Sequence, residues 1–279
     1  MPAEIAPGLI VLGIETSTRL GSVGVVEVGD RPGAGEPLAL AEVTRDSGLR
    51  HGASLLGLVD EALGQAGLDL ETIDVVAVSI GPGSFTGLRV ALATSKGLVL
   101  GTRTRLVGVP TLAALAQAAL ARLRTSRGGS LPAGTVLAPC IDARRGEVYG
   151  ACFSLLPVPA AGGPIEEIEP PAAFAPADFA RRVAARADVA RAFVLGDGAT
   201  RHRATIEAEL PGTAEVLDEA AAAPSGVAVA RIGARGGGSP GDSACLAPLY
   251  VRASEAERNR AAALDAASLG PGEAGSRSR

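Results

Sequence analysis

The sequence predicts an α/β protein. Short β-branched runs alternate with stretches of helical period, and the order they give through residue 109 is β-β-β-α-β-α-β. Leu9–Ile14 is a continuous apolar run, and Glu15–Gly21 supplies turn residues before a second strand at Ser22–Val28, so the two read as a hairpin. Arg31–Glu36 is a loop and Pro37–Thr44 a third strand. From Gly52 to Ala66 the apolar positions Leu55, Leu56, Val59, Ala62, Leu63 and Ala66 recur every 3.6 residues, with Asp60 and Glu61 off that stripe. Val75–Ile80 has the β-branched density of a buried parallel strand. Gly81–Gly87 (GPGSFTG) breaks it, Leu88–Leu100 returns to helical spacing, and Leu106–Val109 is a further strand. Pro110-Thr111 opens a helix that runs over Leu112–Arg124.

The second half is looser. Thr125–Gly134 reads as a linker, followed by strands at Val136–Ile141 and Glu147–Ser154. The prolines between Pro157 and Pro176 point to an irregular connector. Asp178–Arg186 is a helix with Asp178 as its N-cap, and Ala192–Leu195 a strand before Gly196-Asp197-Gly198. No internal repeat shows at a period of 20–50 residues.

Composition bounds the function. With 279 residues, 47% hydrophobic and 20% charged, the chain is no disordered segment. No apolar run reaches the roughly 18–20 residues of a membrane helix, and the N-terminus lacks the basic region of a secretory signal, so a cytoplasmic protein without membrane partners is expected. The net charge of −4, the 3% aromatic content and the absence of Trp argue against a direct reader of RNA bases. Cys140, Cys152 and Cys245 have no metal or disulfide spacing and read as inert thiols.

Three segments can carry chemistry. Glu15, Thr16 and Ser17, at the end of a strand, offer a carboxylate and hydroxyls to a metal-bound phosphate or, equally, the capping groups of a turn. Gly81, Gly83 and Ser84, between a strand and a helix, allow close backbone approach at a helix N-terminus. That loop lacks the spacing of a Walker P-loop, and Lys96, the chain's sole lysine, lies well inside the helix. Ile141–Tyr149 (IDARRGEVY) reads as a charged hairpin. His51 and His202 are the only histidines, with neither a metal-spaced partner nor a GxSxG elbow, so no catalytic and no metal-ligating residue is assigned.

Taken together, VLGIETSTRLGSVGVVE, SIGPGSFTGLRVALATSKGLVLG, LVGVPTLAALA and CIDARRGEVYGACF closely resemble the TsaB family, actin/Hsp70-like proteins of bacterial tRNA threonylcarbamoyladenosine synthesis. Gly196-Asp197-Gly198 and Leu246–Arg252 resemble its weaker C-terminal signatures. The resemblance implies a two-domain actin/Hsp70-like (ribonuclease H-like) fold of mixed sheets flanked by helices, with domains at 1–109 and 110–257 and a disordered tail at 258–279. It implies a non-catalytic partner or activator subunit that works with TsaD and TsaE in threonylcarbamoylation of adenosine 37, meeting tRNA indirectly. No cofactor is required by this chain, with ATP and Mg entering through the complex. In the catalytic paralogue two metal-binding histidines follow the strand after the GPG helix, and the matching stretch Val109–Leu115 has none. The resemblance also suggests that the two helices of the first domain meet TsaD or a second copy, through Leu55, Leu58, Val59, Leu63, Leu88, Leu92 and Val99. The alternative is an active ATP-binding phosphotransferase or ATPase using Glu15 and the GPG loop; a protease ranks last.

Overall fold

In the computed structural model the central strands are buried almost throughout, as befits two sheets each covered on both faces. The structure describes residues 8–29, 37–46, 51–129, 131–157, 165–187, 191–220, 222–235, 239–240 and 245–251. The expected tail at 258–279 lies outside them.

The first sheet is built from β1 (Leu9–Glu15), β2 (Leu20–Val28), β3 (Leu38–Asp46), β4 (Val75–Gly81) and β5 (Arg105–Pro110). Its order is β5-β4-β1-β2-β3, with β1 antiparallel to β2 and parallel to β4. Period-two alternation sends Ile10, Leu12 and Ile14 to one face, where helices α1 (His51–Ala66) and α2 (Phe85–Val99) pack. Val11 and its neighbours Val75 and Ala77 point to the other face, against α7 (Gly226–Ala234). Gly13 and Gly24 are directly opposed across β1 and β2. A Cβ on Gly13 would stand 2.1 Å from the Gly226 carbonyl oxygen, so glycine is what lets α7 lie on the sheet.

The second sheet repeats that topology. Strands β6 (Val136–Arg144), β7 (Glu147–Leu155), β8 (Ile165–Phe174), β9 (Ala192–Leu195) and β10 (Ala214–Val216) follow the order β10-β9-β6-β7-β8. As in the first sheet, the leading strand is antiparallel to its hairpin partner and parallel to the strand after the crossover. Helix α3 (Thr111–Ser126) covers one face, and α4 (Pro176–Ala187) with the short α5 (Asp197–Arg201) and α6 (Arg203–Glu207) covers the other. The last strand, β11 (Ser239–Pro240), returns to pair with β5. Among the described residues no helix is long and apolar enough to cross a membrane.

Two expectations need correction. The Pro157–Pro176 stretch is not wholly irregular: β8 runs through Pro170 and Pro171. It is an edge strand, where a missing N–H costs no ladder bond, and its pairing with β7 shifts register near these prolines. Asp178 is no N-cap, because α4 starts at Pro176, which suits a first helical position. Cys140 and Cys152 are buried free thiols, and burial pushes Cys152 up to about 12.

Candidate functional site

Parallel pairing of β1 with β4 brings the ends of both strands together, so the first two candidate segments meet. Ser84 donates its N–H to the Ser17 carbonyl at 2.6 Å. The Thr16 hydroxyl donates to the Gly87 carbonyl at 3.0 Å. Ser84 caps α2, its hydroxyl accepting from the Gly87 N–H at 3.2 Å. The glycines make this closure sterically feasible: a Cβ on Gly83 would stand 2.6 Å from Ser17, and one on Gly87 would stand 2.1 Å from the Thr16 carbonyl oxygen. Gly81, at φ +120, faces elsewhere; its bare Cα admits Leu249, whose N–H donates to Ile80 at 2.7 Å.

Beneath this junction Glu15 is 1% exposed. Its Oε1 accepts the Ser17 N–H at 2.6 Å, while Oε2 and the Ser17 hydroxyl are buried with no hydrogen-bond partner. Burial raises the Glu15 pKa above its ordinary value, and the Ser17 N–H offsets part of the rise.

Above the junction opens a cleft of about 740 Å³, and the second sheet supplies its other wall. Ser17, Gly83 and Ser84 line it with Phe85, and the β6–β7 hairpin faces them with Asp142, Arg144 and Tyr149. Arg144 and Arg145 hold positive φ at the hairpin tip. Asp197, at the start of α5, accepts the Asp142 N–H at 3.0 Å. Although one side of Asp197 is open to solvent, loss of hydration raises its pKa, with the Asp142 charge adding to the rise and Arg144 opposing it. The charged lining residues are Arg19, Arg144, Asp142 and Asp197, so cation and anion balance and the chain's one lysine takes no part. On the rim, Phe85 stacks on Tyr250 with ring centroids 5.6 Å apart, Arg89 lies 3.9 Å over the Phe85 ring, and the Arg89 Nε–H donates to the Tyr250 hydroxyl at 3.1 Å.

The IDARRGEVY hairpin, whose charges by themselves read as a solvated tip, lines the cleft through Asp142, Arg144 and Tyr149. Asp197 and Arg19 were missed as site residues; the Gly-Asp-Gly turn after a strand was the signal for the first, and Arg19 gave none. The interface expectation is corrected. Leu55, Leu58, Val59, Leu63, Leu88, Leu92 and Val99 are all buried in the chain's own interior, because α1 and α2 pack on each other as well as on the sheet. Thr111, Leu112 and Leu115, in the stretch matching the paralogue's histidines, are buried too. Among the described residues no three His, Cys, Asp or Glu side chains cluster to hold a metal.

Two sheets of one topology flanking a cleft define an actin/Hsp70-like protein. The profile of the family described as TsaD: tRNA N6-adenosine threonylcarbamoyltransferase matches residues 44–157. The tRNA threonylcarbamoyladenosine biosynthesis protein TsaB of Haemophilus influenzae is 34% identical over 141 residues, 50% of this chain and 52% of that protein. TsaB of Escherichia coli is 40% identical over 101 residues, 36% and 40% of the two chains. The solved structure of YeaZ from Pseudomonas aeruginosa superimposes with a TM-score of 0.65 at 28% identity, covering 87% of this chain and 99% of that one. The chain is similar to these TsaB proteins and spans about half or less of the length of the two curated relatives.

Proposed function

We propose that this chain is the non-catalytic partner and activator subunit for threonylcarbamoylation of adenosine 37 in tRNA, acting in a cytoplasmic complex with TsaD and TsaE. The observation that carries the reading is the start of α3: the stretch Val109–Leu115, which matches the paralogue's two histidines four residues apart, holds no histidine, and its Thr111, Leu112 and Leu115 are buried in the core. The charge-balanced cleft supports it, since a nucleotide's phosphates call for surplus positive charge. ATP and Mg belong to the complex, and tRNA is met through the partners. Residues 1–109 and 110–257 are the two halves of the actin-like unit in this reading, with α7 and Leu246 lending cover to the first sheet.

The partner surface moves to the outer sides of α1 and α2. Leu56 is 53% exposed and Leu100, at the C-terminal end of α2, 83%. Gly57, Gly64 and Gly97 would carry a Cβ into open space. A helical glycine costs about 0.5–1 kcal/mol against alanine, and nothing within the chain calls for it here. A second helix lying close on this face, from TsaD or another copy, would.

The deciding experiment reconstitutes threonylcarbamoyladenosine formation from TsaD and TsaE with and without this chain. Product should depend on the chain; undiminished product in its absence sinks the proposal. Leu56→Asp should abolish co-purification with TsaD while circular dichroism stays folded.

A second reading, an ATP-binding phosphotransferase or ATPase, draws on the orphaned Glu15 Oε2 and Ser17 hydroxyl below the cleft. Against it, the Ser84 and Gly87 amides are taken by the chain itself. Calorimetric titration of Mg-ATP into the isolated chain separates the two: micromolar binding abolished by Glu15→Gln, with turnover, favours the enzyme.

A further inference from the structure

The cleft's volume of about 740 Å³ falls within the range of small-molecule sites, about 300–1,000 Å³. Of its charged lining residues, Arg19 is paired with Asp46 at 2.6 Å. Asp142 accepts the Arg144 N–H at 2.9 Å and stands 3.6 Å from Arg201. That leaves Arg144 and Asp197, and among the described residues neither side chain is in an ion pair.

Asp142 holds these two in place. Its N–H donates to Asp197 Oδ1 at 3.0 Å, and its own Oδ1 accepts the Arg144 N–H. A guanidinium and a carboxylate are thus anchored on one wall, close enough that Arg144 opposes the pKa rise at Asp197, yet without pairing. Arg144 keeps φ 65 at the hairpin tip, a strained conformation for a residue other than glycine, and such strain gathers at functional sites. Phe85, 43% exposed, lines the cleft from the first sheet, and Tyr149 adds a second ring on the hairpin itself.

We propose that the cleft binds a zwitterion with a large apolar side chain, a free α-amino acid or a dipeptide, its carboxylate on Arg144 and its ammonium on Asp197. A planar guanidinium suits a carboxylate, which it can grip through two N–H groups. An anion alone would face the Asp142 and Asp197 charges, and a cation alone the Arg144 charge; a zwitterion meets each with its opposite. The ligand's side chain lies against Phe85 and Tyr149, whose rings offer apolar surface at the cleft mouth. The proposal goes beyond the role in tRNA modification and does not rest on it.

Ligand-observed NMR on the full chain tests it without any partner protein. The probes are L-phenylalanine and glycyl-L-phenylalanine, beside phenylpropionate, which lacks the ammonium, and phenethylamine, which lacks the carboxylate. At least one zwitterion should bind with a Kd of about 1 mM or tighter, and both half-molecules about tenfold more weakly or worse. Whichever zwitterion binds tighter separates the free amino acid from the dipeptide. Arg144→Gln should weaken the zwitterion by about tenfold and leave phenethylamine unchanged; Asp197→Asn should weaken it likewise and leave phenylpropionate unchanged. No zwitterion signal in the wild type overturns the proposal. Half-molecules that bind as tightly as the zwitterions, or variants that bind as tightly as the wild type, overturn it too. Should Asp197→Asn fail to fold, Arg144→Gln at the exposed hairpin tip decides the matter.

Discussion

At the cleft, the two sheets bring the same topology to different ends. The first closes on itself: the β1–β2 turn and the loop before α2 bond to each other through Ser17, Ser84, Thr16 and Gly87, over a buried carboxyl. The second stays open and charged. Its hairpin tip projects Arg144 and Arg145, and Asp142 and Asp197 lie beside them. Equivalent positions in a repeated fold thus serve one rim as a rigid base and the other as a polar face. The difference comes from glycine placement. Gly83 and Gly87 remove the atoms that would hold the first pair of loops apart, while Gly146 has open space around it and serves only the turn.

Substituting those glycines should give the largest contrast. Gly87→Ala drives a Cβ into the Thr16 carbonyl and should cost at least about 3 kcal/mol in urea unfolding. Gly146→Ala meets no neighbour and should cost only about 1 kcal/mol, for its positive φ. Equal losses would mean that the first rim is no tighter than the second.

The two raised carboxyls sharpen the comparison through pH. Glu15 binds its proton more tightly in the folded chain than its ordinary 4.5. The folded state therefore retains a proton that the unfolded state releases, and stability falls as pH climbs from about 4.5 through the raised value. Glu15→Gln should flatten that slope and raise the melting temperature at pH 7, with little change below pH 4.5. Asp197→Asn should act in the same direction above its ordinary 3.8 but more weakly, since Asp197 has a solvent-facing side and Arg144 nearby. A larger effect at Asp197 would reverse the assignment of closed and open rims.

The smallest effect belongs to the hairpin tip. Arg145 holds φ +56 without being glycine, so Arg145→Gly should stabilise by about 0.5 kcal/mol, strain relief exceeding the entropy of the freer unfolded chain. A loss measured by thermal melting would show that the Arg145 side chain anchors the open rim.

Much of the secondary structure was legible because burial on one or two faces writes itself as a period. Val75–Ile80 and the Leu55–Ala66 stripe are such cases, and both elements stand where the period puts them. β8 was hidden by its prolines, whose tolerance depends on being at an edge. Helix α7 was hidden because GVAVARIGA is apolar on nearly every side, which suits a short helix as well as a strand. The repeat went unseen because the equivalent turns ETSTRLG and DARRGE have little sequence in common.

The sequence by itself determined the alternation of strands and helices, the adjacency of a hydroxyl-rich turn and a glycine loop to strand ends, and the lack of histidines after the GPG helix. Those are local facts, set by residue chemistry and period. Only the tertiary structure decided that the leucines of α1 and α2 face inward, and that Ser17 and Ser84 join across 67 positions. An apolar stripe says that a face will be covered and leaves open by what. Which loops touch depends on strand order, and a parallel pair such as β1 and β4 is fixed only when the whole sheet assembles.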